Sequence, residues 1–515
     1  MRVRATLRQY WSLFSGYLRP QRGRVLLLGV LLFGSTGLQL ANPQVVRYFI
    51  DTATAAGATD LLVGAALLFL GIAALQEVAA VLATYVGENV AWTATNALRR
   101  DLAGHTLRLD MSYHNAHTPG ELIERIDGDV STLANFFSLF ALRVVGNGLL
   151  VIGILVFVLL EDWRISLALT LLTIVGIVVL NRLRELATPH WVRGRQASAT
   201  LAGFLEERLA GTEDIRANGA TYYKMRRLFQ LMRDLMQRYR DARVRGHLGS
   251  VLGHFLSEMG LAIGLGMGAY LYLQGTMSIG TVYLVSFYAG MLAVPLRRIT
   301  DELEDLQKAG ATIIRVEELR RTPVTIVDGP GVPLPGGALG VEFERVSFAY
   351  AAGVPVLHDL SFRLEPGKVL GLLGRTGSGK TTITRLLLRT YDPDEGAVRL
   401  GGADLRGLTL SQVRASVGMV TQEVQLFHAS VRDNLTFMNS TISDERLLAS
   451  ITDLGLTEWY ERLPDGLDTR LAPSGGLSAG EAQLLAFTRV FLKDPGLVIL
   501  DEASSRLDPA TERLI

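Results

Sequence analysis

The chain contains no cysteine among its 515 residues. Disulfide bonds, thiolate metal sites and cysteine catalysis are therefore excluded, whereas the redox state of the compartment stays open. An excess of charge of one sign is also lacking, because 51 basic and 50 acidic residues leave a net charge of +1. Nucleic-acid binding needs a basic face, so we expect no nucleic-acid partner.

Proline is scarce in the N-terminal part, where the only prolines before Pro323 are Pro20, Pro43, Pro119, Pro189 and Pro295. The long stretches between them are compatible with helices. A mean hydropathy of +0.27 beside 20% charged residues indicates that apolar and charged segments are separated along the chain. Six apolar runs are long enough for the roughly 20 residues that cross a bilayer, although the last is short. The predicted spans are residues 25–49, 61–85, 136–160, 165–186, 248–273 and 279–296.

Basic residues near the span ends predict the orientation. The loops after the first, third and fifth spans hold at most one basic residue and are expected outside. The two other connections are rich in arginine, so they and both termini are expected in the cytoplasm. Residues 1–24, which alternate basic and aromatic side chains, predict an interfacial helix. The protein is therefore expected in the cell membrane, the inner membrane if the source is bacterial, with many passes through the lipid bilayer.

The second span continues without proline to about Leu109. As one helix it would be about 70 Å long, so much of it is expected to project into the cytosol. Prolines and glycines then mark a linker at residues 323–338. The segment before it, 25–322, is predicted to be a membrane domain. The segment after it, 339–515, alternates short β-rich runs with helical stretches and predicts an α/β domain.

A glycine-rich phosphate loop lies between a predicted buried strand, residues 369–373, and a helical run. It satisfies G-x-x-x-x-G-K-[ST], in which backbone N–H groups surround phosphates. Lys380 is expected on the β and γ phosphates, and Thr381 on Mg²⁺. The nucleotide-binding residues predicted in this loop are Gly374, Arg375, Thr376, Gly377, Ser378, Gly379, Lys380, Thr381 and Thr382.

Two carboxylates follow a second apolar strand, residues 497–500. Behind a phosphate loop, Asp501 is expected to hold the magnesium shell and Glu502 to orient or deprotonate the attacking water. A helix-capping carboxylate is the alternative. The cofactors expected are therefore ATP and Mg²⁺.

The segment LSAGEAQ, residues 477–483, precedes LVILDEASSRLD and resembles the signature loop of ATP-binding cassettes. This resemblance implies that Ser478 and Gly480 contact a γ-phosphate held by a second cassette. Without it, Ser478 and Glu481 form a capping box that opens a helix, and the two interpretations are compatible. The resemblance also implies that Tyr350 stacks on adenine, that Gln422 contacts magnesium and takes part in catalysis, and that the loop 504–508 meets the partner cassette.

The membrane part resembles that of ABC exporters, with segments 113–117 and 213–218 similar to the short helices that press on the cassettes. The implied fold is multidomain: an all-α six-helix transmembrane domain and an α/β phosphate-loop NTPase, incomplete at its C-terminus. The implied function is ATP-driven export of an unidentified substrate by a dimer of half-transporters, a homodimer or a heterodimer. An ATP-gated channel and an ATP-binding regulatory subunit are the alternatives; an intact Glu502 disfavours the second.

The sequence departs from the family pattern in two places. Ala479 and Glu481 replace glycine and glutamine in the signature, and residues 472–474 replace a common Gly-Glu, which puts the contact in trans in doubt. The sequence stops at Ile515, before the family's switch histidine, so ATP binding with slowed turnover is expected. Within the spans, Glu77, Arg143 and Glu258 are candidates for a cavity or a partner, with interfaces or cytoplasmic extensions as the alternative.

Overall fold

A computed structural model describes residues 15–351, 353–471 and 477–503. The chain forms two compact units, Met1–His105 with Gly120–Arg321, and Thr106–Pro119 with Thr322–Ile515. The second unit therefore contains a short segment from the N-terminal half of the sequence.

The described part of the first unit consists of helices joined by short turns. Its α-helices, numbered along the chain together with one short helix of the second unit, α3, are α1 (Arg22–Thr54), α2 (Thr59–Thr106), α3 (Met111–Ala116), α4 (Pro119–Ile123), α5 (Asp129–Leu139), α6 (Asn147–Glu161), α7 (Trp163–Ala210), α8 (Thr212–Ala217), α9 (Thr221–Leu273), α10 (Ile279–Met291) and α11 (Ala293–Arg321). Two π-helical turns, Glu124–Gly128 and Phe140–Gly146, flank α5.

Six helical segments of the described chain are long and apolar enough to cross a membrane. They are Ser15–Thr54, Thr59–Thr106, Arg143–Glu161, Trp163–Ala210, Thr221–Leu273 and Ile279–Ile299. The prediction of six spans is confirmed. Helix α2 has 48 residues and α9 has 53, lengths of about 70 to 80 Å that exceed a hydrocarbon core of about 30 Å.

Proline interrupts these helices less than the sequence suggests. Pro43, which the predicted span 25–49 already included, lies inside α1, and Pro189, which was expected between helical stretches, lies inside α7. Pro295 lies in the first turn of α11, where its missing N–H has no intrahelical partner to lose. Long helices packed against neighbours tolerate an interior proline because adjacent groups satisfy the freed carbonyl.

Buried charges in the first unit are paired. Asp129, whose side chain is 3% exposed, accepts hydrogen bonds from Arg315. Arg143 donates to Glu302, whose side chain is 1% exposed, at 2.8 Å. Arg143 therefore has a partner on another helix of its own unit, while Glu77 and Glu258 lie exposed on α2 and α9.

The second unit begins, after residues 322–340 without helix or strand, as an antiparallel sheet of order β2-β1-β3-β4. Its strands are β1 (Val341–Ala351), β2 (Val354–Leu364), β3 (Glu395–Leu400) and β4 (Ala403–Asp404). A two-stranded parallel sheet pairs β5 (Val417–Val420) with β6 (Leu497–Leu500), from Val417 opposite Leu497 to Val420 opposite Leu500. The helices are α12 (Lys380–Leu387), α13 (Leu410–Ser416), α14 (Val431–Thr436), α15 (Asp444–Asp453), α16 (Thr457–Glu461) and α17 (Ala479–Lys493).

The strand predicted at residues 369–373 is wrong for this structure. The segment has no strand geometry, and Val369 is 98% and Leu373 97% exposed. A strand needs a neighbour that accepts its ladder of hydrogen bonds, and within the described residues no strand pairs with this segment. The apolar composition of residues 369–373 was therefore insufficient to predict a strand.

Candidate nucleotide-binding site

The phosphate loop, residues 374–381, leads from the exposed segment into α12. Gly377 and Gly379 have φ of +86° and +90°, a backbone region that favours glycine. A β-carbon on Gly379 would also lie 2.7 Å from Leu357 Cδ2. The loop made by these glycines precedes the N-terminus of α12, and backbone N–H groups at such a position bind phosphate.

Lys380 closes this loop on itself. Its ammonium donates to the carbonyl oxygens of Gly374 at 2.7 Å and Arg375 at 3.2 Å. The side chain of Thr381 is exposed, whereas Thr382 is buried. The predicted residues Thr376 and Ser378 belong to the same exposed turn. The cationic group thus lies among the backbone groups that would surround a phosphate.

Tyr350 lies near the end of β1 beside the first turns of α12. Its hydroxyl donates to Thr382 Oγ1 at 3.2 Å and accepts from Arg385 Nη1 at 3.1 Å. The ring contacts Phe348 edge-on at 4.9 Å between centroids, yet the residue remains 42% exposed. An aromatic ring held beside the phosphate loop and partly open can stack on a nucleotide base.

Gln422, Asp501 and Glu502 lie beyond the carboxyl ends of β5 and β6. Because these strands are parallel and in register, their carboxyl ends meet at one edge, where α/β sheets bind ligands. Gln422 Nε2 donates to Glu502 Oε2 at 2.6 Å, and the Asp501 N–H donates to the Val420 carbonyl at 3.0 Å. Glu502 has φ +50°, an uncommon conformation for a residue with a β-carbon.

The signature segment opens α17. Ser478 Oγ accepts from the Glu481 N–H at 3.2 Å, and the Glu481 carboxylate accepts from the Ser478 N–H at 2.7 Å. The capping box is therefore confirmed. A glutamate serves this box as well as a glutamine does, so the substitution at position 481 leaves the helix start intact. Gly480 lies in the first turn of the same helix.

Gln483, which the sequence did not single out, joins α17 to the Gln422 loop. Its buried amide donates to the Thr421 carbonyl at 3.2 Å. Its position two residues after Glu481 is the only sequence signal for this contact. The signature helix and the glutamine loop are consequently linked by a direct hydrogen bond.

The helix and strands that carry the nucleotide-site residues share one hydrophobic core. Ile383 and Leu386 of α12 share it with Val417 of β5 and Ile499 of β6. The helix after the phosphate loop and the two strands that end at the carboxylates are thus parts of one packed body. The departures at 472–474 and the predicted partner-facing loop 504–508 lie outside the described residues.

Tyr391 is a further residue that the sequence did not indicate, and Asn115 lies in the segment 113–117, for which the sequence predicted a contact with a cassette but no partner residue. Tyr391 is buried, and its ring contacts that of Tyr350 edge-on at 5.2 Å. Its hydroxyl accepts from Asn115 Nδ2 of α3 at 2.8 Å. Burial raises the pKa of Tyr391, so the phenol stays neutral near pH 7. Only the aromatic residue shortly after α12 could have suggested this contact.

Six apolar helical segments followed by a unit with a phosphate loop and paired carboxylates define an ATP-dependent membrane transport protein. Comparisons with known proteins agree with this class. A family model described as the ABC transporter transmembrane region matches residues 25–296, more than half of the chain, and one described as ABC transporter matches residues 357–505. The chain belongs to the ABC transporter family, as a half-transporter of the exporter type, and it couples ATP hydrolysis to export.

Individual relatives are similar to this chain over nearly its whole length. The chain is 30% identical over 508 residues to a multidrug efflux ATP-binding/permease protein of Mycobacterium tuberculosis, covering 98% of this chain and 42% of that protein. It is 28% identical to an ATP-dependent lipid A-core flippase of Alcanivorax borkumensis, covering 100% of this chain and 86% of that protein. The structure of a bacterial Atm1-family ABC exporter with ATP bound matches with a TM-score of 0.78 and 24% identity, covering 96% of this chain and 88% of that one. The last similarity concerns the fold.

Proposed function

We propose that this half-transporter pairs with a second half and exports an amphipathic molecule from the cytoplasmic side of the membrane. Two relatives support the class of substrate, since one is named for multidrug efflux and the other for flipping lipid A-core. The observation that most supports hydrolysis is the 2.6 Å hydrogen bond between Gln422 and Glu502 at the carboxyl edge of β5 and β6.

ATP binding would use three features of the cassette. Tyr350 offers a partly exposed ring for the base, worth about 1 to 3 kcal/mol by stacking. The loop N–H groups around Gly377 and Gly379 would bind the phosphates. Lys380 would exchange its contacts with the carbonyls of Gly374 and Arg375 for phosphate oxygens, since both are hydrogen-bond acceptors.

The residues present fit a magnesium ion. Thr381, Gln422 and Asp501 offer hydroxyl, amide and carboxylate oxygens, the hard ligands that Mg²⁺ prefers. Because the Gln422 amide nitrogen donates to Glu502, its amide oxygen is left to face a cation. When bound with ATP, the ion would neutralise negative charge on the phosphates.

Hydrolysis would depend on the carboxylate of Glu502. The donor from Gln422 fixes one of its oxygens, which leaves the other to accept a proton from the attacking water. Glu502 is exposed, so water can reach it. A well-placed general base contributes about 10² to 10⁴-fold to the rate. Ser478 and Gly480, at the start of α17, would contact the γ-phosphate of the ATP bound to the second half.

An apolar surface around the short helix α8 is an argument for pairing with a second half-transporter. Leu209 is 73%, Tyr222 84%, Tyr223 71% and Phe229 62% exposed. They lie in the arginine-rich segment between the fourth and fifth spans, which we expect in the cytoplasm. Apolar clusters exposed to water indicate interaction sites. We assign this surface to the partner half, and the cassette and both termini to the cytoplasm.

Reconstituted vesicles test the proposal. The full chain, alone or with a co-purified partner half, is placed in proteoliposomes, and ATP-dependent movement of a fluorescent phospholipid and an amphipathic dye is measured. We expect movement that requires ATP and Mg²⁺ and that stops in Glu502→Gln. ATP-gated ionic current without movement of either probe, in a vesicle that hydrolyses ATP, would contradict export.

A further inference from the structure

The ring of Tyr391 packs against the ring of Tyr350, the residue proposed to stack on adenine. We call the Tyr350 ring the adenine platform. The centroid of the Tyr391 ring lies 5.2 Å from that of Tyr350 at an interplanar angle of 86°, and 5.5 Å from that of Phe348. Edge-on packing of this kind fixes the plane of the supported ring. Tyr391 is 8% exposed, so it does not itself offer a face for a base.

The loop that contains Tyr391 is bonded to the strand that contains Tyr350. The Asp394 carboxylate accepts from the Ala349 N–H at 2.8 Å, and the Asp394 N–H donates to the Ser347 carbonyl at 3.0 Å. These two bonds lie on either side of Phe348 in sequence. A displacement of Tyr391 would therefore shift the strand end that positions Tyr350.

Tyr391 is in turn bonded to α3, which lies in the same compact unit. Asn115 Nδ2 donates to the Tyr391 hydroxyl at 2.8 Å. Helix α3 is itself held at its start, where Asp110 accepts from the N–H groups of Thr325 at 3.0 Å and Ile326 at 3.2 Å. Asn115 thus has a defined position relative to the cassette.

We infer that Asn115 and Tyr391 are positioning residues for the adenine platform, so that the placement of α3 sets the affinity of the cassette for ATP through Tyr350. This inference rests on the proposed role of Tyr350 in nucleotide binding. The segment of α3 joins α2 to α4, both of the first unit. A shift of those helices would reach the nucleotide base through one hydrogen bond and one ring contact.

The test separates base recognition from phosphate recognition. Variants are made in the full chain with Glu502→Gln, so that ATP is not consumed, and binding of ATP and of inorganic tripolyphosphate is measured by equilibrium dialysis and competition. Tyr391→Ala removes the supporting ring, and we expect ATP to bind about tenfold more weakly with unchanged tripolyphosphate binding. General damage to the cassette would weaken both ligands.

The link to α3 is tested by deleting one hydrogen bond from either side. Asn115→Ala and Tyr391→Phe should each weaken ATP binding about threefold, and the double variant should be no weaker than either single one. Asn115→Asp should restore binding, because its carboxylate can accept from the Tyr391 hydroxyl. Tyr460→Phe, which removes a phenolic hydroxyl from α16 of the same unit, is the control and should bind both ligands normally.

Three outcomes would overturn the inference. They are equal weakening of ATP and tripolyphosphate, additive effects of Asn115→Ala and Tyr391→Phe, and wild-type ATP affinity in both single variants. If Tyr391→Ala does not fold, the ATP affinities of Asn115→Ala and Tyr391→Phe test the inference. Failure of the parent Glu502→Gln protein to bind ATP would instead contradict the proposed function itself.

Discussion

The carboxylates singled out in the helical unit and the charged groups of the nucleotide site in the cassette unit are placed in opposite ways. In the helical unit, Asp129 and Glu302 are almost completely buried, and each accepts from an arginine of its own unit. In the cassette unit, the carboxylate of Glu502 is exposed, and the ammonium of Lys380 contacts only backbone carbonyls among the bonds that the structure gives it. The buried charges stabilise the fold, whereas the accessible ones are available to a ligand.

Burial and pairing therefore distinguish charges that stabilise the fold from charges that can bind a ligand. A buried ion pair uses its electrostatic energy to offset its own desolvation. An exposed group that makes one hydrogen bond to a neighbour, as Glu502 does with Gln422, can still contact a substrate. Substitutions of Asp129 and of Glu502 should therefore have different effects, on stability for the first and on turnover for the second.

The largest effect is expected at Glu502. Glu502→Gln keeps the size and removes the basic oxygen, so phosphate release should fall by about 10² to 10⁴-fold. Thermal unfolding should be unchanged, because the side chain is exposed. The measurement is steady-state phosphate release on the full protein in detergent, with unfolding followed on the same sample. A loss of stability that matches the loss of turnover would remove the distinction between the units.

Asp129→Asn should act on stability instead. Breaking a buried ion pair costs about 3 to 5 kcal/mol, and we expect about 2 kcal/mol here, since the Arg315 side chain is 48% exposed. The control is Asp234→Asn, which breaks an exposed pair with Arg238 at 2.8 Å and should cost under about 0.5 kcal/mol. Unfolding of both variants is compared under identical conditions. Equal stability of the two would contradict the structural role of Asp129.

Gln422→Ala should have a smaller effect on turnover than Glu502→Gln. It removes the donor that fixes Glu502, and hydrogen bonds to charged groups contribute about 1.5 to 3 kcal/mol, so we expect about a tenfold loss of phosphate release. Gln425→Ala in the same loop is the control, since there the backbone carbonyl, not the side chain, accepts from Arg489 at 3.0 Å. Equal rates for both variants would show that the loop, not the amide of Gln422, matters.

Local patterns in the sequence predicted much of this arrangement. The six apolar segments, the phosphate loop before α12 and the capping box of Ser478 and Glu481 each depend on neighbours in sequence, so composition and spacing suffice. The strand prediction failed because contacts with residues distant in sequence determine whether a strand forms. Residues 369–373 are apolar enough for a strand, but pairing with another segment is what makes one.

Contacts between distant residues were also beyond the sequence. Arg143 was a candidate for a cavity or partner, but its bond to Glu302 joins residues 159 apart. Asn115 and Tyr391 are 276 residues apart; the segment of Asn115 was expected to contact a cassette, but nothing in the sequence named Tyr391 as its partner. Periodicity cannot identify such pairs, because their geometry is set by tertiary packing.

A comparison of ATP binding by Lys380→Ala and Glu502→Gln shows whether this unit has separate groups for binding ATP and for hydrolysing it. Both proteins are purified in detergent with Mg²⁺, and equilibrium binding of labelled ATP is measured. We predict that Lys380→Ala loses binding, because its ammonium lies among the backbone groups expected to surround the phosphates, and that Glu502→Gln binds ATP as the wild type does. Equal affinity of the two variants for ATP would contradict the assignment of this unit as an ATP-hydrolysing cassette with separate binding and catalytic groups.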